Sequence, residues 1–183
     1  MNVFKGGRKE STMKRLIVIV GPNAVGKSTV AKKMVEQYEN TAYVDSDWCR
    51  VMNPFVFTQA TKQAVSENIY CLLRNYLLCE DISTVIFTYG WHGTRKEIYE
   101  NVIEKLRRNN IEFQECIIVL KCSPEENVRR AINDGRDKER IERGMKTTYS
   151  FYDDLDYPCV DATYMTPVQV ADHIIKLIKT QEQ

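Results

Sequence analysis

From Arg15 onward, short apolar runs alternate with longer stretches in which apolar residues recur every three or four positions. The short runs at 16–20, 41–45, 84–88, 113–120 and 159–162 are rich in β-branched and aromatic residues, and they read as strands. The longer stretches at 27–39, 58–79, 95–109, 124–133, 137–152 and 167–180 read as helices. Three helix starts carry a capping-box signature, Ser or Thr followed three residues later by Glu or Gln: Thr94 with Glu97, Ser123 with Glu126, and Thr166 with Gln169. Pro124 and Pro167 sit at the first helical position, where a missing N–H costs nothing. Strands that alternate with helices predict an α/β fold of βα units around a parallel sheet.

A length of 183 residues is enough for one sizeable core and short for two, so one compact domain is expected. No apolar run approaches the roughly 18–20 residues that span a bilayer, and the first ten residues lack the pattern of a secretory signal. A cytoplasmic protein without a membrane partner is the expectation. The six cysteines form no C-x-x-C pair and have no histidine at metal-ligand spacing, which argues against zinc and disulfides. A net charge of +1, with acids and bases evenly spread, argues against a polymeric nucleic acid as partner. Residues 1–13 have no periodicity, two adjacent glycines and a polar stretch ending at Met13. They are expected to be a disordered N-terminal extension; their Lys, Gly, Arg and Glu residues can all be written in purine-rich codons, as a ribosome-binding site upstream of a start codon would be, which suggests Met13 as the biological start. The remainder, 14–183, is the expected folded domain.

The chemistry begins at the end of the first strand. Gly21-Pro22-Asn23-Ala24-Val25-Gly26-Lys27-Ser28 matches the phosphate-binding pattern G-x-x-x-x-G-K-[ST], with a strand leading in and a helix leading out. Consecutive backbone N–H groups must converge on phosphate oxygens, and only glycine lets the main chain come that close. Lys27 supplies a point charge to the β- and γ-phosphates, Ser28 a hydroxyl ligand for Mg²⁺, and the helix from Ser28 and Thr29 points its positive end at the anion. ATP and Mg²⁺ are therefore the expected cofactors. At the carboxyl end of the second strand stand Asp45, Asp47 and Arg50. Ligands of open parallel sheets bind at that end, so the two carboxylates can accept a hydroxyl proton or hold a water on Mg²⁺. Arg50 can hold an anionic or hydroxyl-rich acceptor.

Together these residues resemble the small P-loop metabolite and nucleotide kinases, the group of gluconate, shikimate and adenylate kinases and the polynucleotide 5′-kinase domain. The resemblance runs from about residue 14 to 181. It implies a three-layer αβα architecture, a five-stranded parallel sheet of order 2-3-1-4-5, and a small helical lid near 134–146. Asp47-x-x-Arg50 is similar to the D-x-x-R element with which several such kinases deprotonate and orient the acceptor hydroxyl, and this likeness makes Asp47 the expected base. The stretch from Val160 to Ala171 resembles the closing strand and helix, whose loop touches the base in adenine-binding relatives. One departure stands out: Thr88 ends the third strand where many relatives carry an acid. Metal binding then falls on Ser28 and Asp45, with water in the remaining positions.

The loop Tyr89-Gly90-Trp91-His92-Gly93 lies at the same sheet edge, and Trp91 is expected to line the acceptor pocket with flat aromatic surface. His92 reads as a loop residue, and His173 receives no role. Gly135 interrupts the helix begun at Pro124, and Arg136, Arg140 and Arg143 then share a face of the resumed helix. Arginines brought over a triphosphate neutralise charge on the transferred group, which makes Arg136 and Arg140 candidate catalytic residues. Of Arg129 and Arg130, one is expected to point inward. Two readings remain: a kinase acting on a small-molecule or nucleotide acceptor, or a nucleotide-binding regulatory or assembly ATPase with no acceptor.

Overall fold

A computed structural model describes residues 13–54 and 56–180. The expected extension at 1–13 lies outside these residues apart from Met13. The elements in chain order are β1 (Arg15–Val20), α1 (Lys27–Gln37), β2 (Thr41–Asp45), a 3₁₀ turn (Trp48–Arg50), α2 (Gln59–Leu78), β3 (Thr84–Tyr89), α3 (Arg95–Arg108), β4 (Gln114–Lys121), α4 (Pro124–Asn133), α5 (Lys138–Gly144), β5 (Cys159–Asp161) and α6 (Pro167–Thr180). All neighbouring strands pair in parallel, in the order β2-β3-β1-β4-β5.

The central strand explains why the sheet forms where it does. Leu16 to Val20 are fully buried, because β1 is covered on both faces. Leu16, Val18 and Val20 face α2 and α3, against Ile69, Leu73, Val102 and Leu106. Ile17 and Ile19 face α1 and α6, against Ala31, Met34, Val170 and Ile174. Each of the larger side chains contributes about 1.5–3 kcal/mol through burial, so the two apolar layers fix the strand order and bring every strand's carboxyl end to one edge.

Two of the three expected capping boxes are corrected. Thr94 caps nothing: it is itself in a helical conformation and no side chain caps α3. Ser123 accepts from the Glu126 N–H, but the Glu126 carboxylate turns to Arg129 and Arg130, so that box is half-formed. Only Thr166 and Gln169 make the reciprocal pair. A box missed in the sequence starts α2, where Thr58 and Thr61 exchange the same bonds with threonine in the place of Glu or Gln.

The expected continuous helix at 137–152 is also broken. After α5 the chain widens into a π turn at Met145–Tyr149 and tightens into a 3₁₀ turn at Ser150–Tyr152. Thr147 and Thr148 bond back to the Arg143 and Gly144 carbonyls, which loosens the regular ladder. Tyr149 donates to the Cys122 carbonyl, and Tyr152 accepts from the Trp91 N–H at 2.9 Å. These long-range anchors, not helical periodicity, set the path. No helix of the described residues is long and apolar enough to cross a membrane.

Candidate functional site

The turn after β1 is shaped by what its glycines leave out. A Cβ on Gly21 would lie 2.2 Å from the Leu120 carbonyl oxygen on the neighbouring strand, so no other residue fits there. Gly26 stands at φ 105 just before α1, and no side chain caps that helix, which leaves the N–H groups of its first turn for an anion. Lys27 folds over the loop and donates to the Gly21 and Pro22 carbonyls, both at 2.8 Å. Burial lowers its pKa to about 8, assisted by Arg136 and Arg95 and opposed by Asp47 and Asp45. A desolvated cation, uncapped amides and a glycine that a Cβ would displace together fit a polyphosphate.

The loop is braced from α4. Arg130 donates to the Val25 carbonyl at 2.6 Å, to the Ala162 carbonyl at 2.7 Å and to Glu126 at 2.7 Å, while Asn127 donates to the Asn23 carbonyl at 3.0 Å. Of the two candidate arginines, Arg130 therefore points inward; Arg129 is exposed beside Glu126. Beyond Arg130 a cavity of about 510 Å³ opens between the loop, with Thr29 and Val30, and the stretch from Ala162 to Pro167.

Across the cleft, β2 delivers its carboxylates. Asp45 Oδ2 accepts from the Ser28 hydroxyl at 2.8 Å and the Tyr43 hydroxyl at 2.6 Å, and Asp45 Oδ1 accepts from the Asp47 N–H at 3.0 Å. Thr88, paired with Asp45 in the sheet register, is buried, with its hydroxyl 3.1 Å from that of Tyr43. Burial, and then the bond to Asp45, raises the Tyr43 pKa, so the phenol stays a donor. The departure at Thr88 is thus filled by a Thr88–Tyr43–Asp45 chain. Sequence reasoning missed Tyr43, although its place two residues before Asp45 puts both on one face of the strand.

Among the described residues no cluster of three or more His, Cys, Asp or Glu side chains could hold a metal unaided. Mg²⁺ does not ask for one, since it keeps several waters and binds one or two carboxylates together with phosphate oxygens. The Ser28 hydroxyl beside the Asp45 carboxylate fits that demand.

Asp47 stands at the cleft rim, 69% exposed in its side chain, and pairs with Arg50. Lys27, Asp45, Asp47, Arg50 and Arg136 line one cavity of about 130 Å³. A further member, Arg95, was not singled out in the sequence because nothing local marks the start of α3 as facing the cleft. Its guanidinium passes over Gly90, where a Cβ would come within 3.3 Å of Nη1. His92 is driven down to about 4 by burial and by Arg95, Lys27 and Arg50, so it is neutral at pH 7.

The remaining expectations divide. Arg136 reaches the cleft, 3.7 Å from Asp134. Arg140 lies instead at a small crevice beside Pro22 and Asn23, and Arg143 is exposed. Trp91 is not an acceptor wall: it is 1% exposed and packs on Tyr99 and Tyr157, with ring centroids 5.2 and 5.5 Å apart. The tyrosines of α3 and of the segment after the π turn provide the apolar surface that draws it inward.

No protein-family model matches the sequence, and no curated protein sequence does. Solved structures do match. A gluconokinase from Sinorhizobium meliloti 1021 superposes with a TM-score of 0.63 at 12% identity, over 93% of this chain and 97% of that one. Shikimate kinase from Acinetobacter baumannii, solved with shikimate, gives 0.60 at 16% identity over 92% and 94%. A tunicamycin resistance protein from Deinococcus radiodurans gives 0.63 at 13% over 90% and 95%. At such identities the likeness is one of fold, and the fold of this chain is that of the small P-loop kinases.

Proposed function

We infer that the protein is an ATP-dependent kinase that moves the γ-phosphoryl group to a hydroxyl of a small-molecule or nucleotide acceptor. The observation that carries this reading is the meeting, in one cleft, of a phosphate-binding loop with a carboxylate–guanidinium pair, Asp47 and Arg50, that binding of a triphosphate does not require. Gly21 to Thr29 would hold the triphosphate, and Ser28 and Asp45 the Mg²⁺. The metal, when bound there, would supply positive charge that neutralises the phosphates. Lys27 and Arg136 supply positive charge beside the transferred group. Asp47 takes the proton of the acceptor hydroxyl as its oxygen bonds to the γ-phosphorus and the bond to the β,γ-bridging oxygen breaks, releasing ADP. Arg50 orients Asp47 for that transfer.

A second reading, an ATPase without acceptor, is favoured only by Thr88 standing where relatives carry an acid. One assay separates them: ADP release with ATP and Mg²⁺ across sugars, nucleosides, nucleotides, and aminoglycoside and phenicol antibiotics. A kinase releases little ADP alone and much more with its acceptor. Steady hydrolysis that no compound accelerates would overturn the kinase reading.

A further inference from the structure

Asp45 ends β2, and its neighbour across the sheet on β3 is Thr88, a buried side chain with no charge. Asp45 accepts three hydrogen bonds: on Oδ2 from the Ser28 and Tyr43 hydroxyls, at 2.8 and 2.6 Å, and on Oδ1 from the Asp47 N–H, at 3.0 Å. A carboxylate offers about four lone-pair sites, so Oδ2 is filled and one site stays open on Oδ1. The positions of the protons follow. An ionised carboxylate can only accept, which makes both hydroxyls on Oδ2 donors. With its hydrogen committed to Asp45, the Tyr43 oxygen can only accept in turn, so Thr88 is the donor across the 3.1 Å between them. Ser28 has likewise given its hydrogen to Asp45, and its lone pairs are left for a cation.

Asp45, Ser28 and Thr88 line the cleft cavity, and Tyr43 does not. Tyr43 stands behind that wall, partly buried against the apolar layer under α1 and α6, with the Trp48 ring edge-on to its own at 5.1 Å between centroids. Thr88 alone could satisfy its hydroxyl. The shorter bond nevertheless runs to Asp45, at a length typical of a hydroxyl on a charged oxygen, which is about twice as strong as a neutral pair.

We propose that Tyr43 is a positioning residue of the Mg²⁺ site: its phenol, oriented by Thr88, fixes the Asp45 carboxylate so that the Ser28 oxygen is turned to the cation. A neutral donor chain thus stands where an acid on β3 would, and it supplies orientation without adding charge. The inference rests on the kinase reading for the presence of a metal–nucleotide complex, and on the hydrogen bonds around Asp45 for the role of Tyr43. Groups that hold a metal-site residue from behind set its direction and its basicity, and their loss is felt as lost metal affinity.

The test titrates Mn²⁺, a paramagnetic substitute for Mg²⁺, into the whole protein held in excess over ADP, and reads the bound metal by electron paramagnetic resonance. Calorimetry gives the affinity for ADP without metal. Tyr43→Phe removes one oxygen and keeps the ring; it should weaken Mn²⁺ binding about ten- to a hundred-fold and leave metal-free ADP affinity unchanged. Asp45→Asn should weaken Mn²⁺ at least as much. Adding Tyr43→Phe to Asp45→Asn should then cost nothing further, because the phenol acts through that carboxylate. If Tyr43→Phe does not fold, as circular dichroism would show, Thr88→Val leaves the phenol without its donor and should lower Mn²⁺ affinity in the same direction.

Wild-type Mn²⁺ affinity in Tyr43→Phe, or in Thr88→Val where that variant decides, would overturn the proposal and leave the kinase reading standing. An undiminished effect of Tyr43→Phe in the Asp45→Asn background would also overturn it, because the hydroxyl would then act on something other than Asp45. So would an equal loss of metal-free ADP binding, the sign of a disturbed phosphate loop. A wild type that binds neither ADP nor its Mn²⁺ complex would bring down the kinase reading and the role of Tyr43 together.

Discussion

At the scale of single residues, the two carboxylates of β2 are distinguished by their surroundings. Asp45 is occupied by Ser28 and Tyr43, whereas Asp47 faces the cleft with one guanidinium beside it. Asp47→Asn keeps the size and removes the proposed base, so turnover should fall by about two to four orders of magnitude with ATP affinity unchanged. Single-turnover kinetics beside calorimetric titration of ATP would show this, and near-full turnover would remove Asp47 from the mechanism. Lys27 carries a pH dependence. Its pKa in the free protein, lowered to about 8, lies below the ordinary value of 10.5. The unfolded chain therefore holds the extra proton between those values, and this group's contribution to stability rises with pH across the window. Under the proposed function ATP affinity should move the other way, falling as pH rises through about 8 and Lys27 loses its charge. Lys27→Met should flatten that profile.

At the scale of elements, caps provide a direct contrast. Thr166 both donates and accepts in its box, so Thr166→Ala should lower stability by about 0.5–2 kcal/mol in urea unfolding, while Thr94→Ala should leave the midpoint nearly unmoved. The two positions carry the same sequence signature, and only the backbone conformation at Thr94 separates them. The segment after α5 teaches a related lesson. Its periodicity is helical, but Tyr149 and Tyr152 are bound to Cys122 and Trp91, 27 and 61 residues away, and contacts of that range leave no mark in local spacing.

At the scale of the whole molecule, the sheet was readable because its strands are near-continuous apolar runs bounded by turns, and the strand order because the phosphate loop carried a resemblance with it. The phosphate-loop half of the candidate site was readable for the same reason, since glycine spacing reports backbone geometry. The half proposed to take an acceptor was not. Tyr43 acquires meaning only from the pairing of Asp45 with Thr88, and Arg95 only from where α3 begins relative to the cleft. Trp91 misled because an aromatic in a loop at the active edge has two plausible destinations, and packing between Tyr99 and Tyr157 decides for the interior. Trp91→Ala should accordingly destabilise the protein by about 3–5 kcal/mol, measured by urea unfolding; a stable variant with an impaired acceptor KM would return Trp91 to the pocket.

Arg130 links two loops that, under the proposed function, would serve opposite ends of a nucleotide. One planar fork grips the Val25 carbonyl of the phosphate loop and the Ala162 carbonyl at the rim of the larger cavity. Because a guanidinium cannot bend, it acts as a gauge block that sets the separation of the two loops before any nucleotide arrives. Lysine at that position, with a single flexible ammonium, could hold one loop or the other but would leave the spacing undefined.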